Sequence, residues 1–157
     1  MKIILIAIGK TDDDYILEGI NKYLQRLKHY IKFEIKIIPD LKKTKHLSQD
    51  EQKSKEAELF FKAINPTDEV IVLDERGIEL SSTHFSDLLN RKMIGSVQNL
   101  VFLIGGPYGF DNSIYQRAHY KLSLSRMTFS HQMIRLFFVE QVYRAFTILK
   151  GEPYHHE

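Results

Sequence analysis

Apolar residues fall along this chain in short blocks set off by glycine, proline and charged clusters. Residues 2–9 read as a strand buried on both faces, an apolar run that follows Lys2 and stops at Gly9-Lys10. Thr11, Asp12, Asp13 and Asp14 then offer helix-capping chemistry before an amphipathic stretch that predicts a helix to about His29. Residues 33–39 alternate and are rich in isoleucine, which predicts a second strand ended by Pro39-Asp40. The basic run Lys42-Lys43-Thr44-Lys45-His46 reads as a loop. Ser48 stands three residues before Glu51, a capping-box spacing, and opens a charged helix that should run to about Ile64, its polar face solvated.

The second half repeats the alternation. A short β-branched strand is expected at residues 70–74, a helix at 82–95 ending in glycine, and a strand at Asn99–Ile104 running into Gly105-Gly106-Pro107. A short helix over 113–119, a strand over 120–125 and a long helix over 130–150 closed by Gly151 complete the pattern. Strands alternating with helices argue for an α/β fold with a mostly parallel sheet and helices on both faces. The predicted loops are only a few residues long, so residues 1–157 are expected to form a single domain.

The final helix departs from the amphipathic norm. Met133, Ile134, Leu136, Phe137, Phe138, Val139, Val142, Tyr143, Ala145, Phe146, Ile148 and Leu149 cover most of its circumference. A surface helix is apolar on one stripe only. Either a second copy of the chain covers the remainder, making a homodimer, or the helix runs through the core of one chain.

Composition narrows the class without naming a function. Apolar residues at 43% and charged residues at 27% are ordinary globular usage. No apolar stretch approaches the roughly 20 residues that span a bilayer, so no membrane partner is expected. The first apolar run lacks a small-residue cleavage site, which argues against a signal peptide. Cysteine is absent, excluding disulfides and thiolate chemistry and agreeing with a cytoplasmic location. A net charge of +2 is too small to announce nucleic-acid binding by itself.

Candidate chemistry gathers at three strand ends. Leu103-Ile104-Gly105-Gly106-Pro107-Tyr108-Gly109 places bare backbone directly after an apolar strand, where ligands of open α/β sheets bind. It has neither the Gly-Lys-Ser/Thr ending of a phosphate loop nor the spacing of a dinucleotide fingerprint. Leu73-Asp74-Glu75-Arg76-Gly77 and Leu122-Ser123-Leu124-Ser125-Arg126-Met127-Thr128-Phe129 occupy equivalent positions. Together they could form a pocket with apolar walls from Leu73, Leu124, Met127 and Phe129 and backbone hydrogen-bonding groups, suited to an uncharged purine ring.

Those motifs, followed by Ser130-His131-Gln132-Met133-Ile134-Arg135, then Glu140-Gln141-Val142-Tyr143-Arg144-Ala145-Phe146 and Pro153-Tyr154-His155, resemble one family along the whole chain. It is the bacterial large-subunit (23S) ribosomal RNA pseudouridine N3-methyltransferase family of the SPOUT class. The resemblance implies a SPOUT-type C-terminal trefoil knot, in which the segment after Gly105 threads a loop, and a homodimer built on the final helix. It implies S-adenosyl-L-methionine as cofactor, with contacts at Leu73, Gly105, Leu124, Ser125, Arg126, Met127, Thr128 and Phe129. Large-subunit ribosomal RNA, within an assembled ribosomal particle, is the implied substrate, with no role for DNA or a metal.

Within that reading, His155 or His131 is the candidate for removing a proton from the target base, because imidazole titrates near neutrality. Arg144 and Tyr154 are candidates for holding the nucleotide. Plainer roles stand beside these: helix capping next to Ser130 for His131, an ion pair one turn from Glu140 for Arg144, and an unstructured tail for Tyr154 and His155. The family often has a lysine or arginine where this chain has His156, which weakens the expectation of phosphate contact by the tail. RNA affinity is expected from a local patch of Lys10, Arg91, Lys92, Arg135, Arg144 and the tail. A non-catalytic RNA-binding protein of the same fold is the competing class, and cofactor affinity separates the two.

Overall fold

A computed structural model describes residues 1–156. Five parallel strands, β1 (Lys2–Ile8), β2 (Lys32–Ile38), β3 (Glu69–Glu79), β4 (Asn99–Ile104) and β5 (Tyr120–Ser123), form one sheet in the order β2-β1-β4-β3-β5. The helices between them are α1 (Asp14–Leu27), α2 (Gln49–Ala63), α3 (Ser82–Ile94), α4 (Asn112–Arg117) and α5 (Met133–Lys150), with a short 3-10 turn at Thr44–His46.

Strand pleating divides the core into two layers. Ile3, Leu5, Ala7, Leu100, Phe102 and Ile104 face one way and meet α1, α3 and α5. Their neighbours Ile4, Ile6, Ile8, Val101 and Leu103 face the other way and meet Ala57, Phe60 and Ile64 of α2 with Phe110 and Ile114. Both faces are therefore dry, which explains why these strands read as continuous apolar runs rather than alternating ones.

Helix α5 lies on the first layer between α1 and α3, with Phe138, Val139, Val142, Ala145 and Phe146 buried against the sheet. One chain thus covers three of its sides. A strip of Ile134, Phe137, Gln141, Arg144 and Ile148 is left at or near the surface, with Phe137 37% exposed. The apolar girth of this helix is met largely within the chain, so the girth by itself does not require a second copy.

Local boundaries shift where tertiary contacts override the sequence pattern. The capping box at Ser48 and Glu51 is present, its two bonds 3.1 and 2.7 Å long. At α1, however, Asp13 is the N-cap and makes no side-chain cap bond. The hydroxyl of Thr11 is instead taken by Arg135. Helix α5 begins at Met133 rather than 130, with Gln132 at its N-cap, and the Ser130 hydroxyl in the preceding turn accepts from the Met133 amide at 3.1 Å.

The largest departure is β3, which continues to Glu79 instead of stopping at Asp74. Leu122 of β5 pairs with both Leu73 and Ile78, so residues 74–77 bow out between two points of contact. Gly77 permits this. A Cβ there would lie 2.6 to 2.7 Å from the backbone of Leu122 and Lys121.

Candidate cofactor cleft and C-terminal cluster

The β3 bulge, the glycine loop after β4 and the segment after β5 converge beyond the carboxyl ends of the strands. They enclose a cleft of about 670 Å³, lined among others by Leu73, Gly105, Leu124, Ser125, Met127, Thr128 and Phe129. Seven of the eight residues expected at a cofactor therefore meet here. The side chain of the eighth, Arg126, is not among the lining groups and donates to Glu79 at 2.7 Å on the exposed rim.

The glycine loop is tightly built. Gly105 approaches Gly109 and Phe110 so closely that a Cβ would sit 3.3 Å from each, and Gly109 adopts a φ of +79° that side chains rarely tolerate. Beneath Gly106 lies the carboxyl group of Glu56, 2.5 to 2.8 Å from where a Cβ would be. Glu56 is buried and accepts from Gln52 at 3.0 Å. Burial raises its pKa above the usual carboxylate range, against the Gln52 bond and with help from Asp40. The polar face of α2, expected to be solvated, is therefore interrupted here by a carboxylate on the apolar stripe that Ala57, Phe60 and Ile64 define. That displacement from polar face to stripe was the available signal.

The bulge brings Asp74 to the cleft, where its carboxylate accepts from the Tyr115 hydroxyl and, at 2.8 Å, from the Arg76 amide. Burial, then the bond to Asp74, pushes Tyr115 up to about 12, so its hydroxyl stays a donor at any working pH. Thr128 donates to Glu75 at 2.9 Å and ties the bulge to the far wall. Tyr115 carries no motif that would mark it in the sequence; only the fold brings it to Asp74.

The four catalytic candidates separate into two places. His131 lines the cleft; crowding of its ring and then the charge of Arg135 push its pKa below the usual 6.5. The N-cap of α5 is Gln132, not His131, and the first amide of the helix donates to Ser130. Arg144, Tyr154 and His155 gather at the other end of α5. Arg144 pairs with Glu140 at 2.5 Å, reaches His155 Nδ1 at 3.5 Å and lies over the Tyr154 ring at 4.7 Å. The Tyr154 hydroxyl donates to Glu140 at 3.1 Å and contacts Tyr23 at 3.2 Å. Burial, with those two partners, raises its pKa. The tail is thus an ordered cluster, and the expected Arg144–Glu140 ion pair exists inside it.

Ten residues of helix from Ile134 to Arg144 correspond to about 15 Å, so one chain does not bring its cleft and its tail together. The charge patch expected for RNA loses two of its members, while Lys10 and Arg91 stay exposed. Arg135 is 1% exposed and binds the Ile8 and Gly9 carbonyls and Thr11, so it cannot touch RNA. Lys92 is engaged by Glu69 and Tyr120.

With this geometry in view, comparison with known proteins decides the family. The family model described as "Predicted SPOUT methyltransferase" matches residues 1–155. The chain is a SPOUT methyltransferase. Proteins named ribosomal RNA large subunit methyltransferase H from Parabacteroides distasonis and Bacteroides thetaiotaomicron are 57% and 54% identical to it over 100% of both chains. The one from Christiangramia forsetii is 56% identical over 99% of each. A solved structure, described as a methylase family protein from Haemophilus influenzae, shares the fold of this SPOUT chain with a TM-score of 0.54 at 12% identity, covering 99% of this chain and 70% of that one. No helix among the described residues is long and apolar enough to cross a membrane.

Proposed function

We propose that this SPOUT methyltransferase acts on large-subunit ribosomal RNA, methylating N3 of a pseudouridine with S-adenosyl-L-methionine as donor. The observation that carries the reading is the cleft itself: a glycine loop, a bulged strand end and the 124–129 wall converging at the carboxyl edge of a parallel sheet, in a chain alignable end to end with proteins of that name. The residues present fit the cofactor. Leu73, Leu124 and Phe129 offer apolar surface for a purine, the close-set glycines offer backbone hydrogen bonds, and Asp74 offers a carboxylate for a cationic group.

When bound, the cofactor supplies a methyl group on a sulfonium, a donor reactive enough that alignment is the protein's main task. His131, at the cleft and with its pKa pushed below the usual 6.5, is the residue we propose to accept the N3 proton. Arg144 and Tyr154 hold the nucleotide, and His155 stands beside them as the second candidate base.

Because cleft and tail are about 15 Å apart within one chain, the working site combines the cleft of one copy with the tail of another. Two α5 helices paired antiparallel across their Ile134, Phe137, Gln141, Arg144 and Ile148 strips would bring Arg144, Tyr154 and His155 of one protomer to the cleft of its partner. The single-domain organisation and the trefoil knot after Gly105 belong to the same proposal. With a net charge of only +2, recognition rests on an assembled ribosomal particle in the cytoplasm rather than on naked RNA.

Methyl transfer to purified ribosomal subunits, read by mass spectrometry of the RNA, tests the reading. Transfer to one pseudouridine is expected. Absence of calorimetric binding to S-adenosyl-L-methionine would instead leave a non-catalytic RNA-binding protein.

A further inference from the structure

Arg135 is the most anomalous polar group in the molecule. Its guanidinium is 1% exposed, yet it donates to three oxygens of which none is a carboxylate: Ile8 O at 2.7 Å, Gly9 O at 2.8 Å and Thr11 Oγ1 at 2.9 Å. Its Nε has no partner among the described residues. A full charge buried without a paired carboxylate is costly, and a neutral donor could close the end of β1 equally well. The charge itself therefore calls for a role.

That role is suggested by position. Arg135 stands one helical turn after His131, on the first turn of α5, where the positive end of the helix dipole adds to it. Its attachments to β1 hold it there, so its distance from the imidazole is fixed by the fold rather than by a flexible side chain.

We propose that Arg135 is a positioning residue for methyl transfer: it sets a fixed positive charge behind His131, so that the imidazole meets the RNA base in its neutral, proton-accepting form. The same charge lies near the site where the base becomes anionic on losing its N3 proton, and favours that anion. This rests on the reading of His131 as the base.

Other charges surround the imidazole. Lys10 and Asp12 lie on the segment before α1, which the neighbouring Gln132 ties down at 2.9 Å on each side. Asp40 follows β2 and, with Asp12, partly offsets Arg135. Lys53, Asp74, Glu75 and Arg76 line the same cleft. Of these charges, Arg135 is the one that pushes on His131, in the same direction as the crowding of the ring.

The experiment is a proton NMR titration of His131 in the full-length protein, for wild type and for Arg135→Gln and Arg135→Lys, each checked for its fold by circular dichroism. Unit charges one turn apart, about 6 Å, interact enough to move the midpoint by about half a unit in a water-like medium and about two units in a protein-like one. Arg135→Gln is expected to raise the His131 midpoint by an amount in that range, and Arg135→Lys to leave it near wild type. Should Arg135→Gln not fold, Thr11→Val tests the same coupling by removing one of the three acceptors that hold the guanidinium, and is expected to raise the His131 midpoint in the same direction. A midpoint that ignores these changes overturns the coupling. The acidic limb of the kcat against pH profile is expected to move with the midpoint in each variant. A midpoint that moves while that limb stays still overturns the positioning role and places the error in His131 as base, whereas parallel shifts support both.

Discussion

Replacing Gly77 by alanine tests whether the β3 bulge is what shapes the cleft. The new Cβ would stand 2.6 Å from the Leu122 carbonyl carbon and 2.7 Å from the Leu122 nitrogen and Lys121 carbonyl carbon, where ordinary contact begins near 3.4 Å. These are backbone atoms, so no side-chain rotation relieves them and β5 must retreat by roughly 0.8 Å, the difference between those distances. A bond of about 2.9 Å stretched that far leaves hydrogen-bonding range, and each ladder bond lost costs about 0.5–1.5 kcal/mol. With β5 joined to the sheet only through β3, one or two such losses together with overpacking amount to about 1–3 kcal/mol. For a chain of this length that is a melting-point drop of roughly 2 to 12 °C. Because Leu122, Ser123 and Leu124 line the cleft, affinity for S-adenosyl-L-methionine should fall by at least about tenfold, or about 1.4 kcal/mol. Differential scanning calorimetry and isothermal titration calorimetry measure the two effects. A melting point within about 1 °C of wild type combined with unchanged affinity would falsify the link between bulge and cleft.

The remaining predictions concern the carboxylate under the glycine loop and the tail. Gly106→Ala drives a Cβ into the Glu56 carboxyl group and should weaken cofactor binding, and Glu56→Ala in the same chain should recover most of that loss; two independent, additive losses in calorimetry would refute the contact. Glu56 has a folded pKa raised above 4.5, so its contribution to stability is fully present below that value and lost as pH rises through the folded pKa. Glu56→Gln removes the titration, and its melting point relative to wild type should climb as pH goes from 4 to 8; a flat difference would refute the assignment. Arg144→Ala and Tyr154→Phe should leave cofactor affinity within about twofold while methyl transfer falls at least about tenfold, a pattern that equal losses in both assays would contradict. Phe137→Glu places a charge on the outward strip of α5 and should shift the chain toward monomer in analytical ultracentrifugation, with loss of transfer; a monomeric yet fully active variant would end the shared-site reading.

The alternation of strands and helices, the parallel sheet and the cleft at its strand ends were legible because each depends on local signals. Buried strands carry unbroken apolar runs, Ser48 and Glu51 mark a helix start, and Gly105-Gly106 can serve only where backbone must come close. What escaped depends on distant partners. Residues 74–77 look like a strand end because nothing local says that Leu122 will pair twice. Arg135 looks like a surface cation because its acceptors, Ile8 and Gly9, are more than 120 residues away in sequence. Tyr154 and His155 look like a frayed tail because their order comes from Glu140, Arg144 and Tyr23, side chains of two helices.

The anchoring of α5 to the end of β1 also constrains how the chain can be made. The first strand is a central one, flanked by β2 and by β4, and the face it shares with β4 is closed by the last helix. Neither half of the polypeptide holds a complete core. During synthesis the strands emerging first must wait, with one apolar face open, until residue 150 has left the ribosome, since only then can Phe138 and its neighbours cover Phe102. Folding of the sheet thus waits on α5, and removing that helix exposes the centre of the sheet rather than trimming an appendage.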